Sequence, residues 1–420
     1  MLIEFSVSNF RSIYEKQTLS MVAAKLTGKE NTQTNIFTPE RYKNLPLLKT
    51  AAIYGANASG KSNLLKAMDY FVALATASTS LKNTDKFLFF PFKLNNQGIF
   101  DPTSFEMEFI AKDEIRYIYG FSITESEVIE EHLLSYTSNK PTEIFVRKKG
   151  EPIKFSSVLK GHKKILEEQL QKNHLLLTKA ANSNFEQLHS VYNFFTSAIA
   201  SNYGEEQYGL YSVNFSNQNI YAEKYREKIT RMLKGADTSI DSYYVEVEKD
   251  KKNPFYKELK TTVIHKVLDG DTSSNVQWDL DEESEGTKKL FNYAALIINV
   301  LEAGTILYFD ELNVSWHPLI TEMIISLFNN AETNPKNAQL IFTTHDATLL
   351  NKDLLRRDQM WFVEKNKLGM SKLFSLADFD KKEVRWDIPF DKWYLSGRFG
   401  AIPNIQEFKM NANEEKVSAK

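Results

Sequence analysis

The chain has 420 residues, of which 42% are hydrophobic, 25% charged and 13% aromatic, so it can bury a sizeable core and is not disordered throughout. Its 52 Lys and Arg against 54 Asp and Glu leave a net charge of −2. That balance excludes a strongly basic nucleic-acid coat and a polyacidic tail, though not a local basic groove. Cys is absent, which excludes disulfide frameworks, thiolate zinc sites and cysteine nucleophiles together. The 7 His are scattered without an i,i+4 pair, which speaks against a His-based metal site.

The opening MLIEFSVSNFRSI alternates as a strand does, and lacks the basic-then-apolar order of a secretory leader. Residues 25–47 are polar, with Gly28, Asn31, Asn35 and Pro39, and read as a loop. Ala51 to Tyr54 form a second apolar run that stops at Gly55. Leu64, Leu65, Met68, Phe71, Val72 and Ala75 then recur at helical spacing and predict a helix over 61–79. Between 85 and 148 the alternation of Phe105, Met107 and Phe109, and of Tyr117, Tyr119 and Phe121, predicts antiparallel strands. Residues 160–235 turn helical, with Leu166, Leu170, Val191, Phe194, Phe195 and Ile199 among the apolar positions, and 240–278 return to strands.

From 286 onward helix and strand alternate: helix 286–302, strand 305–309, helix 317–330, strands 338–343 and 359–364. Such alternation predicts a parallel α/β sheet. The apolar stretch from Tyr293 to Phe309 carries Asn299, Glu302 and Gly304 and fails the requirement of roughly 18–20 apolar residues for a membrane span. A soluble, cytoplasmic chain is expected. Its organisation reads as one α/β domain interrupted by an insertion: 1–80 and 275–408 as the two halves, 81–150 as a β-rich lobe, 151–274 as a helical and β insertion, and 409–420 as a flexible polar tail.

Gly55-Ala56-Asn57-Ala58-Ser59-Gly60-Lys61-Ser62 satisfies the phosphate-loop pattern, and it lies between an apolar strand and a helix as that pattern requires. Its glycines let backbone N–H groups point inward, Lys61 reaches the β- and γ-phosphates, and Ser62 offers an oxygen to Mg²⁺ at a helix N-terminus. Thr305 to Phe309 is an apolar strand ending in Asp310 and Glu311. Asp310 there suits a Mg²⁺ shell, and Glu311 suits a residue that orients or deprotonates water. Ser284-Glu285-Gly286-Thr287-Lys288 precedes an apolar-faced helix, an N-cap that also suits an anion. A further apolar strand, Gln339 to Thr343, leads to His345.

In this order the four motifs resemble the ATPase heads of the ABC superfamily, above all the SMC, RecF, RecN and OLD branch. Asn63 after the loop Ser, and the opening Ser8-Asn9-Phe10-Arg11-Ser12, are similar to that branch as well. LRRDQMWFVEK (355–365) and YLSGRFGAIP (394–403) resemble compact bacterial ABC-type ATPases of phage-defence operons, the RloA and AbiL type. The resemblance covers roughly half the chain and is weak over 150–260.

It implies a P-loop ABC-type head, a mixed sheet flanked by helices, that binds ATP and Mg²⁺ through Gly55, Asn57, Gly60, Lys61, Ser62, Asn63 and Asp310. Ser284 and Gly286 would close over the γ-phosphate of a second copy, Glu311 would activate water, and His345 would contact the γ-phosphate; Arg11 is a further candidate near the nucleotide. Asn313 stands where the family usually has an acidic residue, while His317-Pro318 is kept. The lid-loop Gln has no clear counterpart: Gln97, in Asn-Gln-Gly, reads as part of a turn.

The implied function is the ATP-hydrolysing sensor of an anti-phage system that dimerises around ATP and controls a separately encoded effector, a nuclease or toxin. Too few residues follow His345 for an OLD-type nuclease domain, and Asp378, Asp380 and Glu383 read as a charged loop rather than metal ligands. The alternatives are a RecF-like DNA-binding repair ATPase, which leaves nucleic acid open as a partner, and a scaffold holding structural nucleotide. The N-K-x-D motif of a GTPase is absent, which speaks against that class: Asn351-Lys352 is followed by Asp353 and Leu354, the wrong spacing.

Overall fold

A computed structural model describes the chain except for residues 27–31, 139, 184, 203–222, 250–256, 270–271, 315, 381–383, 385–387 and 404–420. The predicted tail at 409–420 and Glu383 therefore lie outside the described residues. The chain begins with β1 (Leu2–Ser8) and β2 (Gln17–Ser20), then a single turn α1 (Thr32–Asn35) and the short pair β3 (Ile36–Phe37) and β4 (Leu47–Leu48). Next come β5 (Thr50–Tyr54), α2 (Lys61–Ala77) and the meander β6 (Thr103–Ile110), β7 (Arg116–Ile123), β8 (Val128–Tyr136), β9 (Thr142–Lys148) and β10 (Lys154–Phe155). Helices α3 (Lys163–Glu168), α4 (Leu176–Ala181) and α5 (His189–Ser197) lead to β11 (Ile199–Ser201) and α6 (Glu223–Ala236). After β12 (Ile240–Lys249), β13 (Lys257–Asp269) and β14 (Thr272–Asp279) follow α7 (Glu285–Ala303), β15 (Ile306–Phe309), α8 (Pro318–Asn329), β16 (Gln339–Thr343), β17 (Met360–Lys365), β18 (Ser371–Ser375) and α9 (Phe390–Leu395).

Two large sheets result. The first is antiparallel, in the order β10-β9-β8-β7-β6-β1-β2. The second runs β11-β15-β16-β5-β17-β18; its first five strands are parallel, and only β18 returns antiparallel against β17. A third sheet, β12-β13-β14, is a separate antiparallel meander.

The parallel sheet is a wall between two cores, because strand side chains alternate and both faces of a parallel sheet are covered. Ala51 and Ile53 of β5 join one core, and Ala52 and Tyr54 join the other. The same alternation splits Ile306 and Tyr308 from Leu307 and Phe309, and Trp361 and Val363 from Met360 and Phe362. On the first side α2 is sandwiched between the two large sheets. Phe71 stacks on Phe121 at 5.1 Å, and Phe194 of α5 stacks on Phe109 at 4.0 Å. On the second side α6, α7 and α8 supply Ile229, Leu290, Ile298, Ile324 and Phe328.

The expected mixed α/β class is found, and the five elements expected between 286 and 364 fall within two residues of their expected ends. Two placements differ. β1 and β2 pair in the antiparallel sheet, with Phe5 opposite Met107 and Leu19, so residues 1–20 and 103–155 share a sheet that a boundary at 80 would cut. Ile199, taken with a helix, instead opens β11, which pairs with Ile306 at the edge of the parallel sheet. Helical spacing stops at Phe195, and three residues carry too little pattern to reveal a strand whose partner lies a hundred positions away.

Buried glutamines join the layers. Gln339 on β16 accepts from Leu2 N (2.6 Å) and donates to Leu2 O and Leu48 O (3.0 Å each), linking β1 and β4 to the parallel sheet. Replacing it strands three buried backbone groups, each worth about 1–3 kcal/mol when unpaired. Gln339→Leu is therefore expected to lower stability by about 2–4 kcal/mol in urea unfolding; a loss within experimental error would mean that Gln339 does not hold the layers together.

Candidate functional site

The loop after β5 is fixed by what surrounds its glycines. Gly55 has φ 153°, and a Cβ there would run into Val363 O. Gly60 has φ 111° and caps α2 in the left-handed region, where a Cβ would also collide with Ser371 Oγ and Ser12 Oγ. Below the loop, Tyr394 of α9 packs on Tyr54 (5.9 Å) and Phe362 (5.6 Å) and meets the Gly55 backbone. The segment 394–403 is thus part of the loop's floor.

Ser371 at the start of β18 donates to Ser59 O (2.5 Å), its Oγ lies 2.7 Å from Ser12 Oγ, and Asn63 Nδ2 donates to the same Ser12 Oγ (2.7 Å). The N-terminal turn, the phosphate loop and β18 are therefore tied through one serine hydroxyl.

Parallel strands deliver their C-terminal ends to one edge. The ends of β5, β15 and β16 meet there. Ser62 Oγ donates to Asp310 Oδ1 (3.0 Å), and Thr343 Oγ1 donates to the same oxygen (2.6 Å). Thr343 Oγ1 also accepts from Glu311 N (2.7 Å). Glu311 sits at φ 55°, a left-handed conformation that costs a non-glycine residue about 1 kcal/mol or more and is held by this bond and by Leu312 N to Thr343 O (3.0 Å). Asn202, one residue past β11, brackets the Asp310 backbone: its Oδ1 accepts from Asp310 N (2.8 Å) and its Nδ2 donates to Asp310 O (3.0 Å).

An open cavity of about 640 Å³ is lined by Asn57 to Asn63 together with Glu311, His345 and Lys365. Lys61 Nζ lies within it but donates to Gly55 O (2.8 Å) and Ala56 O (3.1 Å), carbonyls that an incoming phosphate would replace as partners. Burial lowers the Lys61 ammonium to about 8, against the pull of Asp310 and Glu311. His345 is lowered too, first by burial and then by the Lys61 charge. Asn313 accepts from Thr344 Oγ1 (2.9 Å) and His345 N (3.4 Å), so it braces the His345 turn with its amide oxygen alone.

The donor set fits Mg²⁺. A hard cation that binds through one or two carboxylates and phosphate oxygens is served by Asp310 Oδ1 and Ser62 Oγ, which already face each other. Among the described residues no cluster of three or more His, Asp or Glu stands together as a metal site. Asp378 instead accepts from Ser375 N (2.8 Å) as a capping residue. No helix of the described residues is long and apolar enough to cross a membrane.

Gly55, Asn57, Gly60, Lys61, Ser62, Asn63, Asp310, Glu311 and His345 are brought together at this edge. Ser284 and Gly286 are not. Ser284 caps α7, accepting from Thr287 N (3.1 Å), Gly286 O accepts from Trp316 Nε1 (3.2 Å), and neither lines the cavity. Arg11 sits at φ 51° with its guanidinium 4.6 Å from the Phe90 ring centroid and does not line the cavity. Gln97 also stays away, its carbonyl accepting from Phe100 N (2.9 Å) and Asp101 N (3.1 Å) in a turn. Sequence reasoning missed Thr343, Asn202 and Lys365; only the T-T-H run before His345 carried any signal, for Thr343.

Binding of a polyanion favours the charged form of Lys61, so affinity should fall as the free lysine loses its proton. For an ATP analogue titrated from pH 7 to 9.5, we expect weakening that approaches about tenfold per unit above pH 8. An affinity flat across that range would show that Lys61 does not carry the charge that binds.

No curated protein matches the chain. Among solved structures, the SmcHead bound to the C-winged helix domain of ScpA aligns with 89% of this chain and 97% of its own at 12% identity and a TM-score of 0.41. A match to a known family covers residues 51–351, which run from the strand before the phosphate loop past Asp310 and His345. On that match the chain belongs to the family described as AAA domain, putative AbiEii toxin, Type IV TA system.

Proposed function

We propose that this protein is an ATPase that closes as a dimer around ATP and hydrolyses it. The observation that carries the reading is the meeting of Lys61, Ser62, Asp310, Glu311 and His345 at one sheet edge, while Ser284 and Gly286 stay outside the cavity. A head built this way holds one half of a nucleotide site and presents the other half to a second copy. Such an isologous arrangement makes nucleotide the link between protomers.

Lys61 leaves the Gly55 and Ala56 carbonyls to reach the β- and γ-phosphates, and the α2 N-terminus adds its dipole. Ser62 and Asp310 would hold Mg²⁺, which supplies charge neutralisation at the phosphates. Glu311, held in position by Thr343, accepts a proton from the attacking water, and His345 meets the γ-phosphate from β16. Lys365, from β17, adds a second cation at the rim.

The output is proposed from the family and the fold together. The family description names a toxin of a type IV TA system, and the resemblance of 355–365 and 394–403 points to the RloA and AbiL branch. We infer a cytoplasmic sensor subunit of an anti-phage system that acts on a separately encoded effector.

Glu311→Gln is expected to bind ATP without turning it over, eluting as a dimer with ATP and Mg²⁺ and as a monomer without. Lys61→Ala should cut turnover by at least about 100-fold and abolish protection of host cells against phage. A Glu311→Gln protein that stays monomeric under both conditions contradicts the dimer. Turnover that rises on adding DNA would move the assignment to a RecF-like repair ATPase, and growth arrest by this chain alone would make it the toxin rather than the sensor.

A further inference from the structure

We propose that His265 is a positioning residue for the segment that one protomer presents to the nucleotide of the other. It fixes Glu283, and through Glu283 the adjoining Ser284 and Gly286. The inference rests on the dimer reading above and adds to it the element that sets the angle of the presented half-site.

His265 lies on β13 and is 3% exposed. Both of its ring nitrogens face oxygens: Nε2 lies 2.6 Å from Glu283 Oε1, and Nδ1 lies 2.9 Å from Ser239 Oγ. Ser239 in turn donates to Asp237 Oδ1 from its hydroxyl (2.7 Å) and its backbone N–H (2.8 Å). Trp278, on β14, donates its indole N–H to the same Glu283 oxygen (2.7 Å), and its ring stacks on the imidazole at 3.9 Å and 20°. Glu283 is therefore gripped by side chains from two strands, backed by a third contact from the turn before β12.

The next residue in the chain is Ser284, the N-cap of α7. There is no slack between the grip and the cap. Asp279 closes a capping box over Leu280–Glu282, with Asp281 N donating to Asp279 Oδ1 (3.0 Å) and Asp279 N to Glu282 Oε1 (3.3 Å).

Stability alone does not account for this network. A buried hydrogen-bonded polar pair gains little over well-packed apolar residues, so what it supplies is a single geometry. The geometry it sets is that of Ser284 and Gly286. None of Asp237, Ser239, His265, Trp278 or Glu283 lines the phosphate cavity, so removing one of them leaves the Lys61 half-site intact. The sheet β12-β14 also rests on α7 through Tyr243, whose ring meets Phe291 edge-on at 4.9 Å. Strand and helix thus hold the presented segment between them.

The test uses the full chain carrying Glu311→Gln, with His265→Leu or Trp278→Phe added, and reads ATP binding, thermal midpoint and ATP-dependent dimerisation by light scattering. Trp278→Phe keeps the ring and deletes only the indole N–H, so it serves even if His265→Leu fails to fold. Both variants should bind ATP within about twofold of the parent, while dimer affinity falls about tenfold for His265→Leu and about threefold for Trp278→Phe. With Glu311 restored, kcat should fall with KM unchanged. Variants that dimerise like the parent overturn the role of His265 and leave the dimer standing. Variants that lose ATP binding and thermal stability together reduce His265 to a structural residue, and a parent that is monomeric with ATP removes the dimer and this role together.

Discussion

Both faces of the central parallel sheet must be covered, and everything else in this protein is arranged around that requirement. β5, β15, β16 and β17 send alternate side chains into two separate cores. One core is closed by α2 under the antiparallel sheet, the other by α6, α7, α8 and α9. Neither core can be removed without exposing strands such as β5 and β16, in which every residue is buried. The wall is apolar along its length, so polar chemistry is confined to its ends.

At one end of the wall the strands run out together, and there the cost of polar burial is met by mutual pairing. Asp310 is bonded by Ser62 and Thr343, its backbone by Asn202, and Glu311 by Thr343. Lys61, lowered to about 8 by burial, rests on its own loop's carbonyls. Those partners are ones that an incoming phosphate and a cation could displace or share. The site's polar groups are thus already held in place by one another, which reduces the reorganisation that binding requires. This suits a member of a P-loop ATPase family, and the strained Glu311 backbone is one place where folding energy is stored at the site.

Buried polar side chains do the joining where apolar packing would leave the layers free to slide. Gln339 and Gln359 reach from the parallel sheet to β1, β4 and α1, and Arg356 pairs bidentately with Asp358 while both hold Ala24. Glu131 is fully buried yet satisfied by Leu176 N, Leu177 N and the Tyr119 hydroxyl, so it anchors α4 to the antiparallel sheet. Burial still raises its pKa and so favours the neutral form. Hydrogen bonds are directional and hydrophobic contacts are not, so these residues select one register between layers.

The phosphate loop, the strand ending in Asp310 and Glu311, the capped helix at Ser284 and the strand leading to His345 were all legible from residue order. Each is a local signal, a glycine spacing, a period of two or a period of 3.6, and such signals depend on neighbours in the chain. Thr343, Asn202 and Lys365 were not legible, because a threonine, an asparagine or a lysine gains its role only from what stands across from it. The same holds for Arg11, whose contact with Phe90 comes from across the fold, and for β1, whose alternation could not say which sheet it joins. Local chemistry belonged to the sequence. Pairing between positions tens or hundreds of residues apart, Ile199 with Ile306 or Ser62 with Asp310, was decided only when burial of both faces of the sheet brought those strands together.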